Sequence, residues 1–370
     1  MGVVLLESPT TPNVTGTNLI YSLSSSIEYS PQFRYVTDIY NYPAGDQIVR
    51  IKTYANSYST SNVDVSRELN DQLDYDDFWK VNVATQAVET VKVFDLRFGE
   101  EYSDSISGSR TVYPGSSNNY LQVFPGIVFK NQGSAAGGFN YDYSAHAVLS
   151  NMPTTQSIES GSYHTVAIYD ENAIVTYKLN DGTTLGSVSY TNNSTNFMTI
   201  PIGSANLNNY GNFDYIELTT GGLSYRWDAY ENCEDEYTRF AFINQYGFWD
   251  YYSIHMPLRK NSSVNRSLYD QEFVKYEKTI AYYNVSNRGT TQYLTEYQDT
   301  FEITTDQIGK YTADWLTELF ESPNVFIQKD GNFIPVNILD TNVVWNMNPY
   351  RQKLFQYSIR FKYANQRESR

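Results

Sequence analysis

The segment FRYVTDIY at residues 33–40, the turn YPAGD at 42–46 and the segment QIVRIKTY at 47–54 decide the fold class. In both segments apolar or aromatic side chains recur at alternate positions, which is the period of a strand with one buried face. Pro and Gly between the segments favour a reversal of the chain. The stretch therefore predicts two paired β-strands.

The same period continues through most of the chain. Residues 80–98 alternate again, and the Asp-Gly pair in NDGT at 180–183 favours a tight hairpin turn. The patterns predict a mainly β chain (all-β or α+β) with several β-sandwich-like modules. Changes in composition predict three domains: a β-rich domain at 1–97, an all-β module with long Ser/Gly/Asn-rich loops at 98–222, and an α+β domain at 223–370.

One prominent helix is expected, near the C-terminus. Ile308, Trp315 and Leu319 belong to an apolar stripe of helical period, and Thr304 with Gln307 fits a capping box. Pro323 would end the helix. The pattern predicts a helix over about 306–321, with Trp315 in the core.

Composition excludes several classes of protein. The chain has 41 acidic and 26 basic residues, for a net charge of −15, and 16% of its 370 residues are aromatic. A disordered chain would lack these aromatics, and a nucleic-acid-binding protein usually carries a basic surface. A single cysteine cannot build a disulfide scaffold. No apolar segment approaches the roughly 20 residues of a membrane span, and no export signal is expected.

No residue pattern marks a catalytic, cofactor or metal site. His146, His164 and His255 lack the spacing of metal ligands, and the acidic neighbours of Cys233 disfavour a reactive thiolate. The acidic run at 74–77 is either a calcium site or a solvated turn. The acidic residues Glu100, Glu101 and the run at 231–236 leave a glycosidase pair open as an alternative.

The chain is unusually rich in tyrosine, with 35 residues, and this feature bears on its function. Tyrosine is a good strand former, it is enriched at protein interfaces, and its ring can stack on sugars. All three explanations stay open. If the interface explanation holds, the best candidates lie in turn-rich stretches, where burial in the protein's own core is least expected: Tyr113, Tyr120, Tyr141 and Tyr143.

The C-terminal region resembles a known family. The passage WLTELFESPNVFI at 315–327 is followed by IPVNI at 334–338 and by KLFQYSIRFKYAN at 353–365, and AFINQYGFWD precedes them at 241–250. This order resembles virion structural proteins of tailed bacteriophages, particularly phages of Bacteroidetes-type hosts. Residues 33–40 and 63–69 also resemble the N-terminal part of that family.

The resemblance implies a tail, neck or baseplate component that assembles in the host cytoplasm into a homo-oligomeric ring or adaptor of the virion. Its partners would be copies of itself and other virion proteins, without sequence-specific nucleic acid, cofactor, metal or enzymatic activity. A carbohydrate- or receptor-binding tail module that contacts host glycans through the middle domain is an alternative. A glycan depolymerase that uses two acidic residues is a second one.

Overall fold

The computed structural model describes residues 2–9, 11–76, 81–87, 89–124, 148–169, 171–192, 197–207, 212–230, 237–272, 274–278, 280–282, 289–340 and 354–365. These residues form 25 strands and three short helices, which confirms the expected mainly β fold with sandwich-like sheets. The chain divides into two compact units. Unit 1 comprises Met1–Glu231, Phe242–Tyr251 and Trp315–Pro323, and unit 2 comprises Asn232–Ala241, Tyr252–Asp314 and Asn324–Arg370.

Of the described elements, sixteen strands and two helices precede residue 231. They are β1 (Val4–Glu7), β2 (Asn13–Val14), β3 (Ile20–Ser24), β4 (Arg34–Asn41), β5 (Gln47–Thr53), β6 (Thr60–Asp64), α1 (Ser66–Asn70), β7 (Thr85–Gln86), β8 (Lys92–Tyr102), β9 (Thr111–Phe124), β10 (Thr155–Glu159), β11 (Thr165–Tyr169), β12 (Ala173–Lys178), β13 (Thr184–Tyr190), β14 (Phe197–Pro201), α2 (Ser204–Leu207), β15 (Tyr215–Thr220) and β16 (Leu223–Tyr230). Their sheets have the strand orders β1-β3-β6, β2-β9-β8-β4-β5, β10-β16-β15-β12-β13 and β11-β14-β7.

The first two sheets of unit 1 share a hydrophobic core. Tyr21 of β3, Tyr35 of β4 and Phe94 of β8 are fully buried in this core, together with Leu96 and Leu121. Alternate residues of each strand point into it, as the sequence pattern predicts. Burial of each such side chain contributes about 1.5–3 kcal/mol. Strands β4 and β5 pair antiparallel, which confirms the expected hairpin at 42–46.

The expected turn at 180–183 is also confirmed. Strands β12 and β13 pair antiparallel on either side of it, and Gly182 has a φ of +86°. Only glycine adopts such an angle without a steric cost.

Residues from 238 onward form the other nine strands and the last helix. They are β17 (Thr238–Ile243), β18 (Trp249–Ile254), β19 (Arg259–Asp270), β20 (Lys275–Glu277), β21 (Ile280–Tyr282), β22 (Thr290–Thr304), α3 (Lys310–Glu321), β23 (Val325–Lys329), β24 (Asn332–Ile338) and β25 (Ser358–Tyr363). The large sheet has the order β18-β17-β23-β24-β25-β22-β19, and β20 pairs with β21. Strands β17 and β18 and helix α3 contribute residues to both units.

Helix α3 begins four residues later than the sequence predicts, at Lys310. The residues expected to form the first turn of the helix instead pair with residues 355–357. Thr305 donates its N–H to the carbonyl of Tyr357, and its hydroxyl accepts the Tyr357 N–H. Ile308 exchanges two backbone hydrogen bonds with Phe355. These long-range bonds hold residues 305–308 extended, so the local capping signal does not set the helix start.

The three-domain division stays a prediction. Residue 97, the expected end of the first domain, lies within β8, and residues 221–222 form the turn between β15 and β16. The middle module includes residues 125–147, which lie outside the described residues.

Candidate functional site

Two of the four tyrosines expected at an interface lie on strand β9. Tyr113 is 39% exposed and Tyr120 is 50% exposed. Tyr113 pairs with Glu100 of β8, and Tyr120 pairs with Asp95. Side chains an odd number of residues apart on a regular strand point to opposite faces of the sheet. Glu100 and Asp95 are five residues apart on β8, which pairs regularly with β4, so Tyr113 and Tyr120 lie on opposite faces. The fold therefore does not bring them into one patch.

Each exposed tyrosine on β9 contacts a second ring. Tyr113 stacks on Tyr102, with ring centroids 4.5 Å apart. Tyr120 contacts Tyr42 edge to face at 5.0 Å. The sheet thus carries two separate aromatic pairs, one on each face. The other two candidates, Tyr141 and Tyr143, lie outside the described residues.

If the chain self-associates through β9, alanine at Tyr120 is expected to weaken that association while leaving the folded chain nearly as stable as the parent. Substitutions at exposed sites usually change the free energy of unfolding by about 0.5 kcal/mol or less. Fewer than about 30% of interface residues contribute more than 1 kcal/mol to binding, and tyrosine is enriched among them. Thermal melting and sedimentation velocity of Tyr120→Ala and Tyr113→Ala would separate the two effects. Unchanged association in both variants would remove these tyrosines from the interface.

Glu100 and Glu101 do not form a carboxylate pair. They are consecutive on β8, so their side chains point to opposite faces of the sheet. Glu100 is buried and accepts a 2.5 Å hydrogen bond from the Ser25 hydroxyl. Glu101 accepts a 2.8 Å bond from Lys52, and this bond lowers the pKa of Glu101. Two carboxylates on opposite faces cannot flank one glycosidic bond.

The remaining sites considered from sequence have structural partners where they are described. Asp76 is buried and accepts the backbone N–H groups of Glu89 and Thr90. His164 is buried between the rings of Trp227 and Tyr251. Among the residues that the structure describes, no group of three His, Cys, Asp or Glu side chains could hold a metal ion. Cys233 and the acidic run around it lie outside those residues, as do Asp77 and His146.

Strand β19 of unit 2 is exposed along almost its whole length and pairs antiparallel with β22; these two strands are here called the ribbon. Eleven of the twelve residues of β19 are exposed, so the strand is open on both faces. It pairs with β22 over Arg259–Asp270 and is the last strand of its sheet. Its outer edge therefore presents backbone groups that could pair with another strand.

The ribbon also exposes apolar and aromatic side chains to solvent. Five are more than a third exposed: Val264, Leu268, Tyr269, Tyr293 and Tyr297. Sequence patterns did not single out the ribbon, because its first strand, RKNSSVNRSLYD, lacks the alternation of a half-buried strand. That alternation arises only where one face is buried. The exposure of both faces explains its absence.

A buried polar cluster in unit 1 was also missed. Asp250 is buried and accepts three hydrogen bonds, from the Ser150 hydroxyl at 2.6 Å, the Trp315 indole at 2.7 Å and the Asn244 amide at 3.1 Å. Burial raises the pKa of Asp250 to about 6, although the three donors oppose this rise. Asp250 is therefore shielded from water, but its carboxylate accepts three hydrogen bonds.

A second acid belongs to the same cluster. Glu318 of α3 accepts the Asn151 amide at 2.7 Å and the backbone N–H of Gln245 at 2.9 Å. Burial, with the nearby negative charge of Asp250, raises the pKa of Glu318 to about 8. The cluster ties α3 to the segments at 150–151 and 244–250. These hydrogen bonds between distant segments support the fold.

No protein-family model matches the chain, and the search of curated proteins found no match. Among the described residues, no helix is both long and apolar enough to cross a membrane.

Proposed function

We propose that this chain is a structural component of a tailed-phage virion, part of the tail, neck or baseplate, and that it acts by assembling with copies of itself. The ribbon is the observation that carries this proposal. The sequence resemblance to virion proteins gives the biological context, and the ribbon gives a surface suited to assembly.

The exposure of the ribbon supports a role in assembly. An isolated pair of strands is only marginally stable in water, and β19 has little burial on either face. The ribbon is long, since β19 has 12 residues and β22 has 15. Contact with a neighbouring molecule would bury its apolar side chains and pair its open edge.

The charge of the outer strand favours a second copy as that neighbour. Strand β19 has three basic residues and one acidic residue, although β22 beside it has three acidic residues and no basic one, and the whole chain has a net charge of −15. A basic strand on an acidic protein is complementary to the rest of another copy. Such a contact uses two different patches, and repeated contacts of this kind close into a ring when the rotation per subunit fits.

Placing a charge on the ribbon is expected to disrupt assembly. Leu268 is 57% exposed on β19, and Leu268→Lys would place an ammonium group in an apolar contact. We expect the variant to shift from oligomer to monomer in size-exclusion chromatography with light scattering. Ile106→Lys is the matched control, because Ile106 is an apolar residue of unit 1 and is 85% exposed.

Electron microscopy of the purified chain tests the proposed architecture directly. Rings or ring fragments in the parent, lost in Leu268→Lys and kept in Ile106→Lys, are the expected result. A parent that stays monomeric at high concentration and does not join virion particles would contradict the proposal.

A further inference from the structure

Unit 2 has an open groove with a volume of about 610 Å³. It lies along strands β22, β24 and β25 and the start of β19, on the face of the sheet that carries Phe301 and Phe361. Its volume is within the range of about 300–1,000 Å³ that small-molecule sites occupy. All its lining residues belong to unit 2, so one subunit contains the whole groove.

Aromatic rings form part of the groove lining. Phe301 and Tyr363 contact each other with centroids 4.9 Å apart, and Phe301 also stacks on Phe361 at 5.5 Å. Tyr297 lies further along β22 and is 41% exposed. Rings fixed on adjacent strands present an apolar surface at little conformational cost.

Polar groups flank these rings. The Asp299 carboxylate accepts hydrogen bonds from Lys260, at 2.7 Å, and from Ser262. These two bonds lower the pKa of Asp299, so its carboxylate stays an acceptor at neutral pH. The exposed amides of Asn332 and Asn365 add donors and acceptors at the groove.

The charged side chains that line the groove sum to no net charge. The groove is lined by two lysines, Lys260 and Lys329, and by two aspartates, Asp299 and Asp330. This balance contrasts with the net charge of −15 on the whole chain. The groove therefore offers polar contacts without an attraction for polyanions or polycations.

We propose that this groove binds a short neutral oligosaccharide. A sugar ring has an apolar face of C–H groups, which an aromatic ring can cover, and a rim of hydroxyl groups, which carboxylates, ammonium groups and amides can bind. The groove combines these features with no net charge. The groove shares Tyr297, Lys260 and Asp299 with the base of the ribbon but does not include Leu268, the residue used to test assembly. Binding of a saccharide by a single chain does not require self-association.

Binding of soluble saccharides to the full chain tests this proposal. The probes are neutral oligosaccharides of hexoses, deoxyhexoses and N-acetylhexosamines, with sialylated and sulfated glycans for comparison, and the readout is saturation-transfer NMR followed by calorimetry. Tyr297→Ala is expected to weaken binding of the neutral ligand about tenfold, because it removes an exposed ring from the groove. Tyr293→Ala is the matched control, since Tyr293 is on the same strand, is 65% exposed and does not line the groove.

Saturable binding of a neutral oligosaccharide that is lost in Tyr297→Ala and kept in Tyr293→Ala supports the proposal. Binding by none of the neutral probes overturns it, as does equal weakening in both variants or a preference for charged glycans. A change of oligomeric state in Tyr297→Ala without saccharide binding would instead assign the groove to a second copy of the chain, and would also overturn the proposal.

Discussion

Trp315→Ala is expected to lower the free energy of unfolding by about 3–5 kcal/mol, the range for removing a large aromatic side chain from a core. Trp315 is 2% exposed, and its ring contacts Phe242 with centroids 5.6 Å apart. Alanine would leave a cavity beside α3. It would also remove the indole N–H that donates to the buried carboxylate of Asp250. The lost packing and the lost hydrogen bond both destabilise the folded chain.

Chemical denaturation followed by circular dichroism would measure this effect, and Trp315→Phe would separate the two losses. Phenylalanine keeps most of the ring packing but has no N–H donor. We expect its cost to fall between those of the parent and alanine, because Asp250 loses one of its three hydrogen-bond donors, and a hydrogen bond to a charged group contributes about 1.5–3 kcal/mol. If Trp315→Ala unfolds at the same denaturant concentration as the parent, Trp315 does not have the core role assigned to it.

Glu318→Gln is expected to reduce the loss of stability that the parent shows at high pH. The pKa of Glu318 is raised from 4.5 to about 8 in the folded chain. A carboxyl group with a raised pKa binds more protons when folded than when unfolded. Folding is therefore penalised progressively as pH rises from about 4.5 to 8, and the full penalty remains above that range. Asp250, with a pKa of about 6, adds a penalty of the same sign.

Glutamine removes the Glu318 penalty because it carries no charge. Since one pKa unit corresponds to about 1.4 kcal/mol, the difference in stability between pH 5 and pH 9 should shrink by on the order of 4 kcal/mol. At pH 5 the variant should be no more stable than the parent, because one of the two hydrogen bonds to the carboxylate loses its acceptor. At pH 9 it should be the more stable protein.

Denaturation curves at several pH values would show this crossover. Glu321→Gln is the matched control, because Glu321 is an exposed residue of the same helix whose charge makes only the smallest contribution to the raised pKa of Glu318, so its neutralisation should change the pH dependence far less than Glu318→Gln. If Glu318→Gln and the parent lose stability in parallel from pH 5 to pH 9, the buried acid at position 318 is not the source of the pH dependence.

Local patterns were reliable where neighbouring residues decide the structure. The β4–β5 hairpin and the turn at Gly182 follow from alternation and from residues that suit tight turns. The burial of Trp315 followed from the helical stripe. The start of α3 did not follow, because pairing of Thr305 and Ile308 with residues 355–357 overrides the capping signal.

The order of residues alone predicts a mainly β protein, because strand period and turn chemistry are properties of neighbouring residues. The folded structure is needed to show that Asp250 and Glu318 share a buried cluster, that Glu100 and Glu101 point to opposite faces of their sheet, and that β19 is open on both faces. Asp250, for example, meets Ser150 and Trp315 across 100 and 65 residues of sequence. Burial and charge depend on such distant contacts, and no local pattern records them.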